Sequence, residues 1–156
     1  MISSRNLIIG VGNPDRGDDA IGLIVARQLR QLMPPGFSVI EQSGDGAVLM
    51  DLWQDAGTVI VVDAAHSTDI PGTIHRFDIP TDPLPVDSFH SSTHAFGLAD
   101  GIRLSSALGR LPNRLIVYGI VGLQFELGQR PGPLVQRAGE EVTQRILRDL
   151  QFGPAK

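Results

Sequence analysis

The stretch from Leu7 to Gly22 reads LIIGVGNPDRGDDAIG and decides the fold of the chain. Its apolar run 7–12 is typical of a strand buried on both faces, as in a parallel sheet covered by helices. Turn residues fill 13–17, and apolar side chains then recur at the spacing of a helix face over 18–32. The stretch therefore predicts a strand, a tight loop and a helix, with two adjacent carboxylates where the helix starts.

The loop in this unit does not have the residues of a nucleotide-binding loop. A dinucleotide fingerprint needs a third glycine after Gly10 and Gly12, and Asp15 stands at that position. A phosphate loop needs a lysine and a hydroxyl where this chain has Asp18 and Asp19. Two carboxylates repel a phosphate group and attract a cation, so the loop favours a cation as its ligand.

Composition limits the classes of function. The 156 residues are enough for one domain, covering 1–156, and the mean hydropathy of +0.06 fits a soluble globule. A net charge of −4 argues against a nucleic acid or an anionic membrane as partner. The chain has no cysteine, so a metal site must use carboxylate and imidazole groups. With no signal peptide or membrane span visible, the cytoplasm is the expected compartment.

The rest of the chain alternates between strand and helix patterns. The connection 64–71 is too short for a parallel crossover, so the strand after it should run antiparallel. The fold class is therefore α/β: one three-layer domain, a mostly parallel five-stranded sheet with one antiparallel strand, and helices on both faces. Strands are expected over 7–12, 37–41, 58–63, 72–78 and 114–121, and helices over 18–32, 47–53, 94–109 and 133–150. Ser91–Thr93 offer caps for the helix 94–109, and the inward-facing positions of the later helices include Val48, Phe96, Ala107 and Leu134.

Two acidic positions should meet at one edge of this sheet. Asp19 follows the first strand and Asp63 ends the third, and sites in open α/β sheets form at the carboxyl ends of parallel strands. A shared cation explains two such carboxylates, which would otherwise repel each other and take up protons. Asp18 has a simpler interpretation as a helix N-cap, with Asp19 complementing the helix dipole. Whether Asp18 or Asp19 is the first ligand stays open.

His94 is the histidine best placed to complete a metal site. We expect it at the start of a helix, where the dipole disfavours imidazolium and keeps the ring able to bind metal. Two carboxylates and one imidazole suit nickel or zinc. A Ser43–His94–Asp63 triad can also be drawn, but no Gly-x-Ser-x-Gly elbow surrounds Ser43. The spacing of His90 and His94 matches the zinc-protease motif HExxH, but Ser91 replaces its glutamate. The histidines interpreted as structural are His66, His75 and His90.

Three motifs together resemble the nickel-iron hydrogenase maturation endopeptidases: GVGNPDRGDDAIG (Gly10–Gly22), VIVVDAAHS (Val59–Ser67) and STHAFGLADGIRL (Ser92–Leu104). The resemblance implies an endopeptidase that removes a C-terminal peptide from the hydrogenase large-subunit precursor after nickel insertion. It also implies that the precursor supplies the nickel and that the enzyme holds no tightly bound metal of its own. By motif position, the implied catalytic and metal-contacting residues are Asp19, Asp63 and His94.

Two alternatives remain beside the protease. One is a nickel-binding chaperone that holds the precursor without cutting it. The other is a peptidyl-tRNA hydrolase, although 16–21 lacks the histidine and tyrosine found there in that family. The resemblance is incomplete in the loop Ser43–Gly46, which often reads Gly-Gly-Thr in relatives, so the substrate cannot be carried over from them. We expect a monomer that binds no nucleic acid and no membrane.

Overall fold

A computed structural model of the chain describes residues 5–32, 34–89 and 94–152. The chain alternates between strands and helices, with short 3-10 turns at Gly17–Ala20 and Val86–Ser88. The strands are β1 (Leu7–Val11), β2 (Ser38–Gln42), β3 (Thr58–Ala65), β4 (Ile74–Ile79) and β5 (Arg114–Val121), and the helices are α1 (Ile21–Leu32), α2 (Gly46–Trp53), α3 (Leu98–Leu108) and α4 (Pro133–Phe152).

The five strands form one sheet in the order β2-β1-β3-β5-β4. The pairs β1–β2, β1–β3 and β3–β5 are parallel, and β4 pairs antiparallel with β5. This confirms the predicted α/β class, the mostly parallel five-stranded sheet and the single antiparallel strand. The chain leaves β1 in one direction to reach β2 and then crosses back to β3, so a crevice is expected between the carboxyl ends of β1 and β3.

Hydrophobic side chains cover both faces of the sheet, because alternate residues of each buried strand point to opposite sides. On one face, Ile8 and Ile60 pack with residues of α1 and α4 such as Val25 and Val142. The other face packs against α2 and α3, where the Trp53 indole donates a buried hydrogen bond to Ser105 Oγ at 2.9 Å. The three-layer arrangement predicted from the sequence is therefore confirmed.

Several predicted boundaries and burial patterns differ from the structure. The helix expected from His94 begins at Leu98, since the Asp100 carboxylate accepts a hydrogen bond from Gly97 N at 3.0 Å and caps it there. The caps expected at Ser91–Thr93 lie outside the described residues. With the helix start displaced, two residues expected to be buried, Phe96 and Ala107, are exposed.

Three other expectations need correction. The strand predicted to end on Asp63 continues to Ala65, so Asp63 lies inside β3 and its main chain pairs with Gly119 of β5. Val48, expected on the inner side of α2, is exposed. In α4 the residue at the start of the buried stripe is Val135, while Leu134 faces solvent. Within the described part of the chain, no helix is long and apolar enough to cross a membrane.

Candidate functional site

A small cavity of about 70 Å³ opens where β1 and β3 end, at the crevice created by the strand order. Apolar residues such as Val11, Phe89 and Leu98 form part of its wall. The other part carries side chains that can bind, donate or accept protons. These polar lining residues are Arg16, Asp19, Ser43, Asp63 and His66.

Asp18 lies beside this cavity, and its carboxylate anchors a distant loop. Its side chain is buried, and its carboxylate accepts hydrogen bonds from the main-chain N–H groups of Leu123, Gln124 and Gly132 at 2.7, 2.8 and 2.7 Å. The N-cap interpretation of Asp18 is therefore wrong, because its acceptor oxygens serve a loop more than a hundred residues away. This loop, 122–132, is held against the turn after β1.

Asp19 points the other way, into the cavity. It belongs to the 3-10 turn between β1 and α1, so it precedes the helix instead of opening it. Burial raises the pKa of the Asp19 carboxyl, and a hydrogen bond with the main chain of Asn13 and the charge of Arg16 partly counteract this. The 3-10 turn thus separates the two neighbouring carboxylates, with Asp18 bound by the loop and Asp19 left for the cavity.

Asp63 faces the same cavity from β3 and is almost fully buried. Burial raises the pKa of its carboxyl well above the ordinary value, and the nearby charge of Asp19 raises it further. A hydrogen bond with the main chain of Ala64 acts in the opposite direction. The structure thus brings Asp19 close enough to affect the ionisation of Asp63, and the two acids meet at one edge of the sheet as expected.

His94 reaches the cavity through Ser43. Its Nε2 lies 2.9 Å from Ser43 Oγ, and Ser43 is part of the cavity wall at the end of β2. The prediction that His94 begins a helix is wrong, because α3 starts four residues later. Two members of the triad drawn from the sequence, Ser43 and His94, are therefore hydrogen-bonded, and the third, Asp63, lines the same cavity.

Sequence reasoning did not select two polar residues of the cavity, His66 and Arg16. The His66 ring stacks on Phe125, with ring centroids 4.2 Å apart and an angle of 26° between the planes. Its position directly after the end of β3 was the available signal, since that edge of the sheet was already expected to hold the site. Arg16 lies in the turn after β1, where the neighbouring pair Asp18 and Asp19 is the stronger sequence signal.

The remaining histidines lie elsewhere or outside the described residues. His75 lies on β4 and its Nε2 is 2.9 Å from the Asp69 carboxylate, away from this cavity. His90 falls among the residues that the structure does not describe. Within 5–32, 34–89 and 94–152, no three His, Asp or Glu side chains converge closely enough to hold a metal ion by themselves.

Comparison with known proteins identifies the family of this arrangement. The family profile HycI, described as hydrogenase maturation protease, matches residues 24–149. A Methanocaldococcus jannaschii protein classed among the hydrogenase maturation proteases is 32% identical over 153 residues, covering 94% of this chain and 92% of that protein.

A longer relative and a solved structure point in the same direction. The hydrogenase expression/formation protein HupD of Thiocapsa roseopersicina is 26% identical, and the match covers 94% of this chain but only 66% of HupD. The structure of the hydrogenase maturating endopeptidase HybD from Escherichia coli superposes with a TM-score of 0.76 at 25% identity, covering 94% of this chain and 92% of HybD. The fold is thus shared across the length of the chain.

Proposed function

The chain belongs to the hydrogenase maturation protease family, and from this premise we propose that it is an endopeptidase acting on a hydrogenase large-subunit precursor. It removes the C-terminal extension of a nickel-iron hydrogenase precursor after nickel has been inserted. The observation that carries the proposal is the pair Asp19 and Asp63 in one cavity, with His94 bonded to Ser43 of the wall. The enzyme acts as a monomer.

On this proposal the nickel belongs to the substrate. It arrives in the precursor and is contacted by Asp19, Asp63 and His94, which supply the oxygen and nitrogen ligands that borderline divalent ions take. The electrostatics support a cation here, because two neighbouring carboxyls with raised pKa are difficult to ionise together. A divalent cation between them would offset both the burial and the mutual repulsion. To bind the metal, Nε2 of His94 would give up its hydrogen bond with Ser43 Oγ.

The reaction itself is hydrolysis of one peptide bond. The oxygen of a water molecule bonds to the carbonyl carbon, the carbon–nitrogen bond breaks, and the leaving nitrogen takes a proton. Docking of the metal would hold the scissile bond close to the cavity. The reacting groups are then already positioned, which lowers the entropic part of the activation barrier. A nickel ion at this point acts in one of two ways: it polarises the carbonyl oxygen, or it lowers the pKa of a bound water.

Intact-mass spectrometry of the precursor tests the proposal. The precursor is incubated separately with the wild-type chain, with Asp19→Ala and with Asp51→Ala. Asp51 is exposed, so its replacement serves as the matched control for Asp19→Ala. We expect the wild type and Asp51→Ala to remove a C-terminal fragment, and Asp19→Ala to be slower by a factor of roughly 100 or more. A complex that forms with no change in the precursor's mass would support the chaperone alternative and contradict the proposal.

Ser43 distinguishes metal-assisted hydrolysis from a serine mechanism. If Ser43 only orients His94, Ser43→Ala should retain cleavage within about tenfold, since metal binding replaces that hydrogen bond. If Ser43 is the nucleophile, the same change should lower kcat by roughly 10⁴-fold or more. We expect the small effect, because Glu41 and Asp45 stand where the Gly-x-Ser-x-Gly elbow of such hydrolases has glycines on either side of the nucleophilic serine.

A further inference from the structure

Arg16 is held at the cavity by its main chain. Its N–H donates to Asn13 O at 3.3 Å, and the residue forms an isolated parallel bridge with Gln129 of the loop 122–132. The next N–H, that of Gly17, donates to Gln129 O at 3.0 Å. These contacts hold the main chain of Arg16 beside the cavity and use no atom of its side chain.

Arg16 lines the cavity, yet the Nε atom of its guanidinium has no acceptor among the described residues. This Nε atom is buried. Leaving a buried donor unpaired costs about 1–3 kcal/mol, and more for a charged group. The unpaired Nε shows that the protein does not saturate this guanidinium, and Arg16 is only partly buried, so its outer N–H groups are left for an acceptor of a ligand in the cavity.

A structural role as counter-ion does not account for Arg16. Two arginines of α1 show a close ion pair in this chain: Arg27 and Arg30 both bind Glu41, at 3.0 and 2.8 Å. Arg16 influences Asp19 through its charge, but within the described part of the chain it makes no ion pair of that kind with Asp19. A guanidinium in the same cavity wall as two carboxylates is better suited to orient an oxygen atom of the bound chain, since its planar donors match carbonyl and carboxylate geometry.

We propose that Arg16 is a substrate-binding residue that donates to the oxygen of the scissile carbonyl. This inference rests on the proposed function. As water adds to the carbonyl carbon, that oxygen gains negative charge, and a preorganised cationic donor stabilises it more than the neutral carbonyl. When the carbon–nitrogen bond breaks and the amine takes its proton, the same oxygen becomes part of the new C-terminal carboxylate. Arg16 therefore also binds the carboxylate of the product.

Steady-state cleavage by Arg16→Gln and Arg16→Lys tests the first half of the proposal. Loss of one such donor typically lowers kcat by roughly 10²–10³-fold, so we expect Arg16→Gln to reduce kcat in that range with a smaller change in KM. Arg16→Lys keeps the charge and should recover about tenfold of the loss. The control is Arg110→Gln, an exposed arginine near the amino ends of β3 and β5, where a depression also contains Gln54 and Asn113. It should cleave like the wild type.

Binding of the product provides a measurement that does not depend on cleavage. The probes are two peptides that reproduce the last residues of the mature hydrogenase chain, one ending in a carboxylate and one in an amide. Calorimetry should find that the wild type prefers the carboxylate by about tenfold or more, and that Arg16→Gln has lost this preference. Thermal melting of each variant establishes that it is folded. If Arg16→Gln does not fold, Arg16→Lys replaces it in the binding measurement, and its preference for the carboxylate should be weaker than that of the wild type.

The outcomes separate this inference from the proposed function. If the wild type leaves the precursor uncut, the proposed protease is wrong whatever Arg16 does. If the wild type cuts and Arg16→Gln cuts equally fast, the role of Arg16 is overturned. An unchanged preference for the carboxylate peptide in Arg16→Gln would overturn it as well.

Discussion

Two adjacent residues of the same type, Asp18 and Asp19, have different roles because a 3-10 turn directs them apart. Asp18 binds three main-chain N–H groups of the loop 122–132, and Asp19 faces the cavity. The sequence left open which of the two would be the first metal ligand. The geometry favours Asp19 for the proposed site, since the oxygens of Asp18 already have partners.

Replacement of Asp18 by asparagine should destabilise the protein. The amide keeps the shape but has one acceptor oxygen where the carboxylate has two, and hydrogen bonds to charged groups are worth about 1.5–3 kcal/mol each. We expect the free energy of unfolding to fall by about 2–4 kcal/mol in urea titrations. Asp51→Asn, on an exposed part of α2, should change it by less than about 0.5 kcal/mol. Equal stability of the two variants would contradict the anchoring role.

Asp63 should make the stability of the metal-free protein depend on pH. Its pKa is raised in the folded state, so the unfolded chain releases this proton first as the pH rises above the ordinary value of 3.8. The contribution of Asp63 to stability is therefore present below that value and is lost as the pH rises through the folded pKa. In Asp63→Asn this loss disappears, so the variant should be more stable than the wild type at neutral pH.

Urea titrations between about pH 4 and pH 8, with a chelator present, measure this difference. The gap between Asp63→Asn and the wild type should widen as the pH rises and close towards acidic pH. Parallel curves for the two proteins would mean that burial and the Asp19 charge do not affect Asp63 as described.

At the scale of elements, the site depends on how closely α1 approaches the sheet. Gly22, in the first turn of α1, lies against the carbonyl oxygens of Val11 in β1 and Val62 in β3. A methyl group at this position would overlap both oxygens. The helix α1 can therefore pack closely against β1 and β3, near whose carboxyl ends Asp19 and Asp63 lie, and only glycine permits this distance at position 22.

Gly22→Ala separates packing from helix propensity. Propensity alone predicts that alanine stabilises a helix by about 1 kcal/mol relative to glycine. The clash with two backbone carbonyls outweighs this, so we expect a loss of about 3 kcal/mol in the free energy of unfolding. The exposed α1 residue Gln31 provides the control, and Gln31→Ala should be nearly neutral. A more stable Gly22→Ala protein would show that α1 does not pack as closely as described.

Element boundaries show what the sequence could and could not predict. The strands of the parallel sheet were recognisable because burial on both faces leaves long apolar runs, as in Thr58–Ala65. The start of α3 was predicted four residues early, since serines and a threonine before His94 are good caps, but Asp100 and Gly97 set the boundary. Local signals of similar strength competed there, and the sequence did not indicate which one would prevail.

At the scale of the whole molecule, the strand order explains why the candidate residues meet. Asp19 and Ser43 follow β1 and β2, and Asp63 lies near the carboxyl end of the neighbouring strand β3, so sequence reasoning could bring the two acids to one edge. It could not identify the partners of Asp18 or the contact between Ser43 and His94, because both depend on loops packing over long separations in the chain. Arg16 was missed for a different reason, because a single arginine beside two carboxylates carries no sequence signal of its own.

The central claim is that Asp19, Asp63 and His94 bind the nickel of the incoming precursor. The measurement that tests it most directly is the rate of cleavage of nickel-loaded and nickel-free precursor by the wild type, by His94→Ala and by the matched control His75→Ala. We expect the wild type and His75→Ala to cut the nickel-loaded precursor at least roughly 100-fold faster than the nickel-free one, and His94→Ala to lose most of that advantage. Equal cleavage of the two precursors by the wild type would contradict the claim.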